Sequence, residues 1–289
     1  MIPPHFDYEA PASVDAAIKL LGSNPDAKIL AGGQSLIPLM RFRLASPAML
    51  VDLTRIDGLS YVKEDNGWLK IGALTCEADL ERSDVVASKY PLLADTARVV
   101  ADPLVRNRAT LGGNLAHADP ANDHPATMLA YGAKIVVQGP KGERTIPVGE
   151  FFTGTFTTAL DSKEILTEIQ IPAAVKSSGG AYFKLERKVG DFATAAVAVQ
   201  ITLEGGKVTY AGIGLTNVGD MPIKATEAEK ALMGNAPDEA TIKKAADLAA
   251  AAAQPTADHR GTEAYKRSLV KTLTNRALHK AIERAKGGK

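Results

Sequence analysis

Two short stretches hold the residues best suited to chemistry. "ILAGGQSLIPLM" runs from Ile29 to Met40, and "ATLGGNLAHADPANDHPA" from Ala109 to Ala126. Each sets a glycine pair after an apolar or small residue and before an amide: Gly32, Gly33 and Gln34 in the first, Gly112, Gly113 and Asn114 in the second. Glycines leave room for successive backbone N–H groups to converge into an anion-binding nest. Gln34, Ser35, Thr110 and Asn114 would add side-chain donors, and two such loops face to face could hold a diphosphate with little formal positive charge. The alternative is a plain turn, since the chain has 25 glycines and a Gly-Gly pair is commonly no more than that. No G-x-G-x-x-G opens a helix and no G-K-[ST] follows, so neither a Rossmann nor a Walker site is indicated.

Other reactive groups carry less. In "HADPANDH", His117, Asp119, Asp123 and His124 resemble metal ligands, but Pro120 interrupts any helix that would align them, and no metal site is assigned. Ser35 and Ser46 lack a recognisable histidine partner, and Cys76 lacks the flanks of a catalytic thiol. No catalytic residue is named. Arg106 and Arg108 could approach a bound ligand or face a partner, but like Arg41 and Arg43 they read more commonly as exposed helix or loop arginines and are not assigned to a site.

The 289 residues, 45 % hydrophobic and 23 % charged, suit two to three structural units. A net charge of +1 gives no reason to expect nucleic acid as a partner. No apolar run reaches the roughly 20 residues of a membrane-spanning helix. The start, "MIPPHFDYEAP", lacks a signal-peptide pattern, so a cytoplasmic location is expected. With one cysteine, no iron–sulfur cluster of the usual kind can sit on this chain, and any such cluster must belong to another.

These groups need elements to position them. "SVDAAIKLLG" predicts a helix capped by Ser13, burying Ala17, Ile18 and Leu21 and closed by Gly22. "AKIL", "AMLVDLT" and "WLKIGAL" predict strands, the first running into the first glycine pair. Helices are expected from about Ala78 to Ser88 and from about Leu92 to Val100. "ATMLAYGAKIVVQGPKGERTIPVGEFF" reads as strands around a Pro-Lys-Gly turn, and "KEILTEIQIP" as a strand stopped by Pro172. "AAVKSSGGA" marks a domain boundary. Beyond it come three or four strands with a hairpin at Gly205 and Gly206, then two helices, the last with Tyr265, Leu269, Leu273, Ala277 and Leu278 on one face. The class is α+β.

Together with "FDYEAPASVDAAIKLL" and "FKLERKVGDFATA", the glycine stretches resemble the FAD-binding medium subunits of the molybdenum hydroxylase (xanthine oxidase) family, nearest its carbon monoxide dehydrogenase branch. The likeness runs along essentially the whole chain, through "EAYKRSLVKTLTNRAL". It implies a two-lobed FAD-binding domain over residues 1–175, of the type shared with vanillyl-alcohol-oxidase-like flavoproteins. Its lobes span about 1–55 and 56–175, and a C-terminal α+β domain, an antiparallel sheet with helices, covers 178–289.

The resemblance also implies site roles. Ile29, Leu30 and Leu36 flank a first loop in which Ala31, Gly32, Gly33, Gln34 and Ser35 wrap the pyrophosphate. Thr110, Gly112, Gly113 and Asn114 form the second loop, and Asp123 matches an acid that hydrogen-bonds the cofactor. Val100 and Leu166 match apolar positions near it. Lys184 matches a base reaching the flavin's polar edge, where a cation favours the reduced form. Asp191 and Phe192 match residues at the ring; phenylalanine keeps the bulk of the family's frequent tyrosine but loses its hydroxyl.

On this resemblance the chain is the FAD-carrying electron-transfer subunit of a heterotrimer. The molybdenum cofactor sits on a large partner and two [2Fe–2S] clusters on a small one, with a dimer of heterotrimers as the assembly. Electrons reach FAD from the clusters and leave to an external acceptor: a quinone, NAD⁺ or oxygen. Peripheral membrane association of the complex is compatible with this scheme. Carbon monoxide is the first expectation for substrate, with aldehyde, purine or N-heterocycle dehydrogenases as alternatives. A stand-alone FAD oxidoreductase, or a scaffold that lost its cofactor, is the rival reading. The first should show an acid–base constellation of its own, and none is evident.

Overall fold

The computed structural model describes residues 2–288. The first lobe comprises β1 (Asp7–Glu9), α1 (Val14–Ser23), β2 (Ala27–Leu30), α2 (Leu36–Arg41) and β3 (Met49–Asp52). Its strands form a parallel sheet in the order β1-β3-β2. Ser13 caps α1 by accepting the Ala16 N–H at 3.2 Å, and Ala17, Ile18 and Leu21 are buried as expected. The helix does not stop at Gly22, which faces open space as an ordinary helical residue; Asn24 closes it, donating its N–H to Leu20 O.

The second lobe opens with β4 (Val62–Asp65) and β5 (Trp68–Gly72). Six helices follow: α3 (Glu77–Arg82), α4 (Asp84–Lys89), α5 (Pro91–Val99), α6 (Pro103–Arg106), α7 (Leu111–His117) and α8 (Asp123–Tyr131). Then come β6 (Lys134–Gly139), β7 (Gly142–Pro147), α9 (Val148–Phe151), β8 (Phe152–Gly154), β9 (Thr157–Thr158) and β10 (Ile165–Pro172). The main sheet is antiparallel, ordered β4-β5-β10-β6-β7. Two readings need correction. The helix expected over 78–88 breaks at Ser83, whose hydroxyl accepts the Val86 N–H to start α4. "ATMLAY" is not strand but helix α8, every residue of which is buried. Burial all round removes the polar face that gives a helix its period, so in sequence it cannot be told from a buried strand.

The C-terminal unit has β11 (Ser178–Leu185), β12 (Ala195–Glu204), β13 (Lys207–Thr216), β14 (Ile223–Lys224), α10 (Thr226–Leu232), α11 (Glu239–Ala252) and α12 (Glu263–Ala285). Its sheet is antiparallel, β11-β12-β13-β14, and Gly205 and Gly206 turn the hairpin with positive φ. One sheet face, with Val197, Val199, Ile213 and Leu215, packs with Ala245, Val270, Ala277 and Leu278 of the long helices. The buried face of α12 begins one residue later than expected, with Tyr265 exposed and Lys266 buried instead. On the other face α8 lies so close that a Cβ on Gly212 or Gly214 would sit 1.9 or 2.0 Å from Ala130 O or Ala126 O. Gly179 likewise makes room for α12, so the "SSGG" run is tight strand packing rather than free linker. Among the described residues no helix is long and apolar enough to cross a membrane.

The two units are clamped by Arg284 of α12. Its guanidinium grips both carboxylate oxygens of Asp95 in α5, at 2.6 and 3.1 Å, and donates to Gly180 O at 2.7 Å. Charged hydrogen bonds of this kind contribute about 2 kcal/mol. Arg284→Ala is therefore expected to lower unfolding stability by about 2 kcal/mol in urea titration. An unchanged midpoint would show the clamp to be passive.

Candidate cofactor site

The fold brings the two glycine segments into contact. β2 and α2 hold the first, and the α6–α7 junction holds the second. A Cβ on Gly32 would lie 1.9 Å from Arg108 O and 2.9 Å from Ala109 Cα, so only glycine lets these backbones meet. Gly113 faces Ala31 across the same seam. Cys76 and Thr110 form an isolated β-bridge that fixes the second segment from below. A cavity of about 340 Å³ opens here, lined by Ala31, Gly32, Thr54, Asp57, Arg108 and Thr110 among others.

The two segments differ in their free donors. In the second, Leu111 N–H donates to Thr75 O, Gly112 N–H to Ala73 O, Gly113 N–H to Thr110 Oγ1 and Asn114 N–H to Thr110 O, at 2.9–3.1 Å. The second glycine pair is thus the first turn of α7, docked against Ala73, and not an open nest. In the first, the N–H groups of Gly32, Gly33, Gln34 and Ser35 make no hydrogen bond among the described residues, and Gly33 has φ +75°. Four consecutive unpaired N–H groups, the first of them on the cavity wall at Gly32, are what a diphosphate needs. Asn114 Oδ1 is buried with no partner, an acceptor that a cofactor hydroxyl would satisfy. On these observations the residues fit FAD.

A second group forms where α5, α8 and β11 meet. Asp123, first residue of α8, accepts Tyr182 O–H at 2.6 Å and Lys184 Nζ at 2.9 Å. Lys184 is itself buried, donates to Val99 O at 3.0 Å, and has Glu186 at 3.3 Å. Burial pushes the Asp123 carboxyl up from its ordinary value, opposed by the Lys184 ammonium and the Tyr182 hydroxyl. Burial, reinforced by Asp123, pushes the Tyr182 hydroxyl well up, so it stays a donor. Val100, next to Val99, is buried at the end of α5. Asn122 Nδ2 donates to Asn114 O at 2.9 Å, which ties this group to the second glycine segment.

The third group is the loop between β11 and β12. Asp191 accepts from Arg187 Nε at 2.9 Å and from an Arg260 NH at 3.2 Å, and its Oδ1 receives the Phe192 N–H. Phe192 is 49 % exposed. Gly190, with φ +82°, rests on Ala101 O, so the loop abuts the turn that follows Val100. Ile29, Leu30 and Leu36 flank the first glycine segment, in β2 and α2. Leu166 is buried in the core from β10, opposite Val137, and joins none of the three groups.

Sequence reasoning missed two residues here. Arg106, set aside as an exposed arginine, is largely buried; it donates to Val100 O and Ala101 O and pairs with Glu81. Nothing local in the sequence signals this. Tyr182 was legible in principle, since strand residues two apart share a face and Lys184 was already singled out.

Compared with known proteins, residues 4–174 match the family described as "FAD binding domain in molybdopterin dehydrogenase". Residues 180–281 match "CO dehydrogenase flavoprotein C-terminal domain". The carbon monoxide dehydrogenase medium chain of Hydrogenophaga pseudoflava is 44 % identical over 285 residues, 98 % of this chain and 99 % of its own. A solved carbon monoxide dehydrogenase from that organism, lacking the Mo-pyranopterin moiety of its cofactor, superposes with a TM-score of 0.96 and 46 % identity, covering 98 % of this chain and 99 % of the other. The glyceraldehyde dehydrogenase medium chain of Sulfolobus acidocaldarius is 37 % identical over 96 % of this chain and 99 % of its own.

Proposed function

This chain belongs to the molybdopterin-dehydrogenase FAD-binding family, and from that premise we propose that it is the FAD-carrying electron-transfer subunit of a carbon monoxide dehydrogenase. The observation that carries the cofactor reading is the row of four unpaired N–H groups, Gly32 to Ser35, which starts where Gly32 meets the second glycine segment at the cavity wall. The same proposal divides the chain into a FAD-binding unit over 1–175 and a C-terminal unit over 178–289.

Gly32, Gly33, Gln34 and Ser35 hold the diphosphate, framed by Ile29, Leu30, Ala31 and Leu36. Thr110 and Gly112 shape the second wall, Gly113 leaves room for the Thr110 hydroxyl, and Asn114 offers its amide. Val100 supplies apolar surface, whereas Leu166, buried in the core, contributes no contact at these groups. Asp123 holds Lys184, whose cation favours added negative charge on the flavin. Asp191 braces Phe192 at the exposed end. FAD, when bound, stores two electrons between one-electron donors and an external acceptor.

With its single cysteine the chain offers no cluster site of the usual kind, and the proposal puts the clusters on a small iron–sulfur subunit and oxidation of substrate on a large molybdenum subunit. The finer parts of the proposal are a dimer of heterotrimers in the cytoplasm and a quinone, NAD⁺ or oxygen as acceptor. The likeness to a glyceraldehyde dehydrogenase chain favours a second reading, the same role in a dehydrogenase of another substrate, since the proposal puts substrate oxidation on the molybdenum subunit.

The test is the visible spectrum of the purified chain with FAD, before and after adding its partners. Flavin absorbance bleached by carbon monoxide only in the presence of both partners is expected. Bleaching by a substrate or nicotinamide with no partner present would make it a self-sufficient enzyme.

A further inference from the structure

Below the Asp123–Lys184 pair lies a polar couple that none of the proposed cofactor contacts uses. Glu77, first residue of α3, and His124, second residue of α8, bring Oε2 and Nε2 to 2.6 Å, and both side chains are fully buried. Their remaining polar atoms, Glu77 Oε1 and His124 Nδ1, are buried with no hydrogen-bond partner. A lone carboxylate is very unfavourable in such surroundings, and among the described residues His124 is the one group within hydrogen-bond reach of the Glu77 carboxyl. A hydrophobic pair of similar volume would pack there at least as well, and packing alone does not account for the couple.

Its place in the fold suggests what does. The Glu77 N–H donates to Ala109 O at 2.9 Å, directly before Thr110, which anchors α3 to the second glycine segment. His124 follows Asp123 in the chain, and its charge opposes the effect of burial on that carboxyl. A line of alternating charge therefore runs Glu77, His124, Asp123, Lys184, with Glu186 beside its last member.

We infer that the Glu77–His124 ion pair is a positioning couple for the flavin site. His124 adds to Lys184 and Tyr182 in opposing the effect of burial on Asp123, and Asp123 in turn holds Lys184 Nζ at 2.9 Å. The couple so sets the charge presented to the cofactor while locking α8 to the second glycine segment. This rests on the reading that the chain binds FAD.

The experiment compares the full chain with E77Q, H124Q and the double variant. Readouts are FAD affinity, two-electron midpoint potential by dye equilibration, urea midpoint, and the ¹⁵N imidazole resonances of His124. Each single variant is expected to unfold more easily and to bind reduced FAD about tenfold less tightly relative to oxidised FAD, a potential lower by about 30 mV. The double variant, with no stranded charge, should recover the urea midpoint but keep the lowered potential. Recovery of both would reduce the couple to a packing device and overturn the inference, as would wild-type potentials in all three variants. A wild-type chain that takes up no FAD would sink the cofactor reading instead. In that case the resonances decide: both ring nitrogens protonated supports the couple, and a neutral ring overturns it.

Discussion

Replacing Gly32 with alanine should cost the protein its hold on FAD while leaving the fold recognisable. The new Cβ would lie 1.9 Å from Arg108 O and 2.7 Å from its carbonyl carbon, distances no rotamer change can relieve because both partners are backbone. Overpacking of this kind costs about 1–3 kcal/mol, and here the strain falls on the segment carrying the unpaired N–H row. If that row binds the diphosphate, its displacement weakens FAD binding by roughly tenfold to a hundredfold, read by flavin fluorescence titration. Gly22→Ala is the control. Gly22 lies within α1 with nothing within 4 Å of where a Cβ would stand, so alanine there should stabilise the chain by about 0.5–1 kcal/mol and leave FAD affinity alone. Equal FAD affinity in the two variants would remove the first glycine segment from the site.

The contrast between the two glycine pairs also shows how far the sequence could be read. Both pairs announced close backbone approach, and both are places of close approach. Their division of labour was hidden, because it depends on which acceptors reach each N–H. Thr75, Ala73 and Thr110 consume the donors of the second pair, leaving those of the first for a ligand. In the fold, strands such as Ala27–Leu30 and the helix starting at Val14 were legible through period and capping. The helix Asp123–Tyr131 was not, since it is buried between the sheet of one unit and Gly212 and Gly214 of the other, and has no polar face to mark it. Arg106 and Tyr182 escaped for a related reason. Arg106 meets the Val100 and Ala101 carbonyls, six and five residues back, only because of how the backbone bends between them. The carboxylate that Tyr182 meets lies 59 residues away, although the spacing of Tyr182 from Lys184 marked its strand face.

Lys184→Met should have the larger effect on stability. The variant leaves Asp123 buried with its Tyr182 hydrogen bond but without its cation, and breaking a buried pair from one side typically costs about 3–5 kcal/mol. The loss should depend on pH in a direction fixed by the carboxyl. Burial already raises Asp123 above its ordinary value, with Lys184 the first influence opposing it, so the variant raises it further. A raised native value means that the folded state keeps its proton over a range in which the unfolded chain has released it. Stability then falls as pH climbs from the ordinary carboxylate value to the raised one, and stays low above it. Urea unfolding should therefore show the full deficit at neutral pH and a smaller one near pH 4–5, where the protonated carboxyl no longer needs a counter-ion. Asp123→Asn in the same background should restore much of the neutral-pH stability, because it removes the stranded charge, yet FAD bound by the double variant should remain harder to reduce. A deficit that is the same at both pH values would mean that Lys184 contributes by packing its stem, and that the charge line from Glu77 to Lys184 does not operate.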